Sequence, residues 1–158
     1  MKLNPKTYNM NFDRNIRVSK LMTSEVVSVG PNDNLLKVES IFDANSFHHI
    51  PVVNSDNRVL GMISKADINK VQHSLTIFNT REAKKHNQSF MHAILASEIM
   101  SKNTAMLRQD DSALVAVGIF RENFFHAMPV VDKDGKLAGM LTTYDLLTYA
   151  YNEPVFIE

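Results

Sequence analysis

The chain contains no cysteine. That excludes disulfides, thiol catalysis and thiolate metal sites. Only five glycines occur, and no phosphate-binding loop, dinucleotide fingerprint or nucleophile elbow can be assembled from them. Charge of one sign is also missing: 17 basic residues balance 17 acidic ones. A neutral chain has no global attraction for nucleic acid or acidic membrane, so neither is an expected partner. No apolar run approaches the roughly 18 residues that a membrane helix needs, and Met1 to Arg17 lacks an apolar signal core. The expectation is a cytoplasmic protein. Apolar residues still make up 44% of the 158, enough for a core.

What the chain does have is internal repetition. At an offset of 78, Met22 falls on Met100, Asp33 on Asp111, and Ile41-Phe42 on Ile119-Phe120. Asn45 meets Asn123, Phe47-His48 meets Phe125-His126, and Pro51-Val52-Val53 meets Pro129-Val130-Val131. Asp56, Gly61-Met62 and Asp67 likewise meet Asp134, Gly139-Met140 and Asp145. From Ser19 to Ile68 no gap is needed, and about 16 of 50 positions are identical. Two copies of one supersecondary unit are present.

Each copy predicts the order β-α-β-β-α. Glu25 to Val29 is β-rich. Pro31-Asn32-Asp33 signals a helix start with Asn32 as the candidate N-cap. Leu35, Val38, Phe42 and Asn45 follow at helical spacing. Ile50–Val53 and Val59–Ile63 are strands around a turn at Asn54 to Asn57, and the second copy turns at Lys133-Asp134-Gly135. A closing helix begins near Ala66 and near Tyr144. A three-stranded sheet with helices on one face is marginal at about 60 residues. The fold class is therefore α/β (α+β), with tandem repeats packed sheet to sheet about a pseudo-two-fold axis. The divisions are an extension at 1–17, a first repeat at 18–78, a helical connection at 79–95, a second repeat at 96–151 and a tail at 152–158. Within the connection, a break near Asn79 and a helix start at Thr80-Arg81-Glu82 are expected, and the cations Arg81, Lys84 and Lys85 read as a solvated face.

Four motifs, each present twice in the same order, carry a resemblance. They are the openings Val18-Ser19-Lys20-Leu21-Met22-Thr23 and Ala96-Ser97-Glu98-Ile99-Met100-Ser101, the prolines in His49-Ile50-Pro51-Val52-Val53 and Ala127-Met128-Pro129-Val130-Val131, the glycine on the second hairpin strand, and the closings Gly61 to Asp67 and Gly139 to Asp145. Val18 to Tyr151 resembles the cystathionine-β-synthase (CBS) domain pair, or Bateman module. The resemblance implies a flat module with two clefts, commonly dimerised into a disc. It also implies sensing of AMP, ADP, ATP or S-adenosylmethionine without turnover.

The residues suggest how such a ligand would be held. Ser64 and Thr142 stand at strand-to-helix junctions, where free N–H groups and the helix dipole favour phosphate. Asp67 and Asp145, one turn on, can accept two ribose hydroxyls. The same Ser/Thr-x-x-Asp pattern is also a capping-box variant. Val26, Val27, Thr104 and Ala105, with Ile50, Pro51, Met128 and Pro129, are candidates for an apolar adenine slot. The prolines could equally start an edge strand, where no ladder donor is required. Lys65 beside Ser64 adds a charge where the second copy has Thr143. His49 has Ala127 as its counterpart. The two clefts are expected to be unequal, with the first better suited to the charged end of a nucleotide.

Six histidines raise a metal reading, but His48 and His49 point to opposite faces of a strand and His86 and His92 lie on different helix faces. No catalytic cofactor and no metal are expected, and no nucleophile and base pair marks an enzyme. Ile68, Val71, Leu75, Ile77 and Phe78 after the first hairpin, and Leu146, Leu147 and Tyr149 after the second, suggest a homodimer through these helices. The expected function is an adenine-nucleotide-binding regulatory module acting on an unidentified partner protein. The alternative is a ligand-free scaffold of the same fold.

Overall fold

A computed structural model describes residues 13–75, 89–122 and 126–151. The expected helix start at Thr80, the break near Asn79, the basic cluster, Ile77, Phe78, His86, Phe125 and the tail at 152–158 lie outside these residues, as does most of the extension at 1–17.

The first repeat contains α1 (Leu35–Ala44), the antiparallel strands β1 (His49–Val53) and β2 (Val59–Ser64), and α2 (Lys65–Leu75). A short helix α3 (Ala96–Ile99) opens the second repeat. It continues with β3 (Leu107–Arg108), α4 (Ala113–Arg121), β4 (Ala127–Val131), β5 (Leu137–Thr142) and α5 (Thr143–Ala150). A single 3-10 turn spans Val18–Lys20. The hairpins superpose at the offset of 78: Pro51 is opposite Met62 and Pro129 opposite Met140, and both carry a bulge after the first valine of the Pro-Val-Val run.

Both turns are built by one side chain. Asn54 Oδ1 accepts from the N–H groups of Asp56 and Arg58, and Asp132 Oδ1 accepts from those of Asp134 and Lys136. The fourth turn residue is left-handed, Asn57 at φ 61° and Gly135 at φ 77°. Asparagine and glycine are the residues that tolerate this region best.

The helix after the first segment starts later than expected. Gly30 N–H donates to Asp33 Oδ2 and Asp33 N–H donates to Gly30 O, which closes a turn through Pro31-Asn32. The N-cap is therefore Asn34, whose side chain accepts from Lys37 N–H at 3.0 Å, and not Asn32. The expected strand at Glu25 to Val29 also shrinks, to one parallel bridge from Val29 to Val52, and its counterpart β3 has two residues. The cause is a change of partner along the segment. Thr23 exchanges two hydrogen bonds of 2.9 Å with Met140 on β5, while Val29 bonds to Pro51 and Val53 on β1. A chain crossing between two sheets cannot run along either one.

The opening segments are thus exchanged between the repeats. Val18 belongs to a core with Leu107, Ala113, Phe120, Met128, Val130, Leu141 and Leu146, all from the second repeat. Ala96 belongs to the other core, with Leu35, Val38, Phe42, Ile50, Val52, Ile63 and Ile68. Backbone bonds repeat the exchange: Ala113 N–H donates to Ile16 O at 2.8 Å, and Leu35 N–H to Ile94 O at 2.9 Å. A third, small cluster of Met62, Ala127 and Met140 spans the two sheets. Complete burial of residues such as Leu35, Ile50, Leu107 and Leu141 contributes about 1.5–3 kcal/mol each relative to exposure.

Candidate functional site: two clefts at the junction of the repeats

The larger cleft has a volume of about 720 Å³. Thr23, Val26, Val27 and Phe47 of the first repeat line it, together with Met140, Thr142, Thr143 and Tyr144 of the second. Glu25, Ser46, His48, His49, His126 and Ala127 complete its wall. Val26 and Val27 reach it because Thr23, just before them, is bonded to Met140. That approach is possible because residue 139 is glycine: a Cβ there would lie 2.9 Å from Thr23 O and 2.5 Å from Met22 Sδ.

A second cleft, of about 190 Å³, is the pseudo-symmetric counterpart. Ser64, Asp67, Met62 and His49 of the first repeat face Ser101, Thr104, His126 and Ala127 of the second. Ser101 is held as Thr23 is, by two bonds of 2.9 and 3.0 Å to Met62. Each cleft therefore combines the closing motif of one repeat with the opening segment of the other. Phe47 lines the Thr142 cleft, and its counterpart Phe125 lies outside the described residues.

At both closing motifs the hydroxyl and the carboxylate are engaged with one another. Ser64 Oγ donates to Asp67 Oδ2 at 2.6 Å, Ser64 N–H donates to the same oxygen at 3.0 Å, and Asp67 N–H returns to Ser64 Oγ at 3.3 Å. Thr142 and Asp145 repeat the arrangement at 2.7, 2.7 and 3.2 Å. This is a reciprocal capping box. It consumes one carboxylate oxygen and leaves the other with lone pairs to offer; at Asp67 that oxygen also meets Lys70 Nζ at 3.4 Å. Burial raises the Asp67 pKa, but the Ser64 hydroxyl and N–H and the Lys70 ammonium outweigh it and hold the carboxyl below its ordinary value.

The other sequence candidates separate by depth. Val26, Val27, Thr143, Thr104 and His49 stand in cleft walls. Ile50 and Met128 are fully buried in the two cores, and Pro51 and Pro129 are buried beside them. Pro51 lies where the parallel ladder begins, giving its carbonyl to Val29 N–H. Lys65, Ala105 and Asp145 are not among the lining residues, and Asp145 stands behind Thr142. The charge that Lys65 was expected to bring to the first cleft is absent from that cleft's lining, and the roomier of these two clefts is the one at Thr142. Sequence reasoning did not single out His126, which lines both clefts with His49 and Ala127. Its identity with His48 in the repeat was the one signal for it. His49 is half-buried, and burial, then the neighbouring His126 and His48, lower its pKa from 6.5 against an opposing pull from Asp67.

Two interlocked α+β repeats with a cleft at each junction define a tandem-repeat architecture. The CBS domain family model matches residues 18–74 and 96–152, and the chain belongs to that family. An uncharacterized protein of Methanocaldococcus jannaschii is 28% identical over 137 residues, 87% of this chain and 48% of the relative, so the chain spans about half of that relative's length. Its crystal structure matches with a TM-score of 0.70 and 26% identity, over 87% of this chain and 48% of that one. The Arabidopsis thaliana CBS-pair protein CBSX2, crystallised in complex with AMP, matches with a TM-score of 0.70 and 21% identity, over 86% of this chain and 96% of that one. A further CBS domain pair, crystallised with 5′-methylthioadenosine and S-adenosyl-L-methionine, matches with a TM-score of 0.66 and 17% identity, over 84% and 93%. The last two likenesses are of fold. No helix among the described residues is long and apolar enough to cross a membrane.

Proposed function

We propose that the chain is a regulatory module that binds an adenine nucleotide in the Thr142 cleft and passes occupancy to a partner protein through ligand-dependent conformation. The observation that carries this reading is a cleft of about 720 Å³, within the usual range for small-molecule sites. Its apolar wall comes mainly from one repeat and its polar helix start from the other. Val26, Val27, Phe47 and Met140 supply apolar surface for a purine. Thr142 and Thr143 stand at the start of α5, where N–H groups and the helix dipole favour phosphate. Asp145 stands behind Thr142 and fixes the position of its hydroxyl through their mutual hydrogen bonds. Ser64, Asp67 and Thr104 form the corresponding set in the smaller cleft. A ligand touching both repeats at once has the leverage to shift one against the other, which a ligand confined to either repeat lacks.

Calorimetry with AMP, ADP, ATP and S-adenosylmethionine tests this. At least one should bind, and Thr142→Val should weaken it by about tenfold or more, the worth of a hydrogen bond to a charged group. Absence of heat with all four would leave a CBS-fold scaffold whose closing motifs serve only as helix caps.

We further infer self-association through the helices of the second repeat. Ile68 and Leu146, expected on this surface, are instead buried in the two cores. Leu114 and Val115 on α4 and Leu147 on α5 are exposed, and α4 and α5 are in contact.

A further inference from the structure

The two clefts share one wall. His49, His126 and Ala127 line both the Thr142 cleft and the Ser64 cleft, so each of the two imidazoles borders both ligand positions. His49 opens β1 directly opposite Ser64, and Ala127 opens β4 directly opposite Thr142. His49 thus stands beside Ser64, and His126 directly precedes the strand residue that faces Thr142. Backbone bonds tie the segments that lead into β1 and β4 to the helix starts: Lys65 N–H donates to His48 O, and Thr143 N–H donates to His126 O.

We propose that the His49–His126 partition makes the two clefts antagonists at neutral pH, so that a phosphorylated ligand in the Thr142 cleft weakens binding of a second one in the Ser64 cleft. This rests on the nucleotide reading above and adds a coupling between its two sites. The physical cause is a shortage of donors. A neutral imidazole has one N–H, and an N–H turned towards an anion in one cleft is lost to the other. An imidazolium has two N–H groups and a positive charge, and can serve both sides at once. Burial and three neighbouring groups set the proton on His49: burial, then His126 and His48, disfavour the charged form, and Asp67 favours it. Glu25 also lines the Thr142 cleft and adds an opposing charge there. His49 is therefore neutral at pH 8 and gains its proton on acidification. The antagonism should fade as it does, and linkage requires the effect to be equal in both directions.

Two methionines report on the clefts, because Met140 lines the Thr142 cleft and Met62 lines the Ser64 cleft. The half-saturation of each signal, rather than its shift, is what is compared, because the two side chains share a cluster. The full chain, labelled with methionine carrying 13C in its methyl group, is titrated with AMP at pH 8.0 and at pH 5.8. The same titrations are run on Val27→Trp, which fills the Thr142 cleft without touching either capping box. At pH 8.0 the Met62 signal should half-saturate at about fivefold lower AMP in Val27→Trp than in the unsubstituted chain, the lower end of ordinary coupling. The gap should narrow as the pH is lowered to 5.8. His49→Ala should close it at both pH values, and running it at each pH removes the ionisation of AMP from the comparison. Identical Met62 curves with the Thr142 cleft open or filled would overturn the antagonism while leaving nucleotide binding intact. If Val27→Trp fails to fold, Thr142→Val serves as the second way of emptying that cleft. A complete lack of response at both methyl groups would overturn the nucleotide reading itself, and the coupling with it.

Discussion

A methyl group on Gly61 would stand 2.6 Å from the carbonyl oxygen of Ser101. The two residues are on different repeats, and the space that glycine leaves is what allows the Ser101 segment to bond to β2. Gly139 stands in the same relation to Thr23, with a Cβ-to-oxygen distance of 2.9 Å. Backbone cannot step aside as a side-chain tip can, so Gly61→Ala should destabilise by about 1–3 kcal/mol, the range for overpacked sites. Gly118 is the internal control, since it lies on α4 and a methyl group there would meet nothing within 4 Å. Gly118→Ala should be neutral or stabilising by up to about 1 kcal/mol from helix propensity. Thermal unfolding of the two variants beside the unsubstituted chain checks the ordering; equal melting temperatures for Gly61→Ala and Gly118→Ala would contradict the close approach.

Exchange of the opening segments predicts where damage spreads. Val18 precedes the first repeat's helices and strands in sequence yet is fully buried against Leu107, Met128 and Leu141 of the second. Val18→Ala should lose about 1–3 kcal/mol through the removed methyls and the space they leave. Amide exchange should quicken in β4 and β5 more than in β1 and β2. Faster exchange confined to the first hairpin would mean that Val18 packs at home.

These features show what the amino acids reveal and what they withhold. The repeat, the hairpins and the turn at Asn54 are local, and local chemistry announces them: an Asx side chain that opens the turn, and a residue that tolerates positive φ near its end. The closing motif was legible both as a ligand grip and as a capping box, and the structure displays the box with one oxygen to spare. The exchange was not legible, because valine at position 18 declares that it needs a core without declaring whose. For the same reason some residues of each cleft could be named, while Ile50, Met128 and Lys65 were named in error for the walls and neither cleft could be assembled. Val26 and Thr142 come from different copies, and their meeting depends on the two bonds between Thr23 and Met140. The later helix start at Asn34 follows from a competing turn closed by Asp33 and Gly30, a contest between two good caps that spacing alone does not decide.

Acidification should destabilise the fold in two separate windows. His49 has a folded pKa below its unfolded value of 6.5. The unfolded chain therefore binds the proton more readily, and stability is lost as pH falls below 6.5 towards the lowered folded value. Asp67 has a folded pKa below 3.8. Its contribution is fully present above the unfolded value and disappears as pH falls through the lowered folded pKa. Urea unfolding between about pH 8 and pH 5 should show the first loss in the unsubstituted chain and a flatter profile in His49→Gln. Asp67→Asn should leave the first window in place and make the second shallower, because Asp33 and Asp132 are also held below 3.8 and remain. A His49→Gln profile as steep as the parent's would assign the first window to another group.

The outer faces of the two repeats differ in a way that bears on self-association. On the second repeat Val115 and Leu147 are exposed, the latter at 57%. At the offset of 78 their counterparts are Lys37 and Asn69; Asn69 is exposed and the Lys37 side chain is 56% accessible. Burying a leucine contributes about 1.5–3 kcal/mol, whereas covering Lys37 would desolvate both it and the Asp33 carboxylate it pairs with at 2.8 Å, a cost that ion pairing often fails to repay. Apolar association should therefore run through the second repeat, with α4 and α5 of one copy against those of another. A pairing of one patch with itself closes as a two-fold dimer and does not propagate. Light scattering on the unsubstituted chain should give twice the 17.9 kDa of one copy at micromolar concentration. Leu147→Lys should return a single copy with an unchanged melting profile once concentration dependence is removed, and Asn69→Lys should leave the dimer intact. Dissociation by Asn69→Lys, or dimers that survive Leu147→Lys, would move the contact to another face.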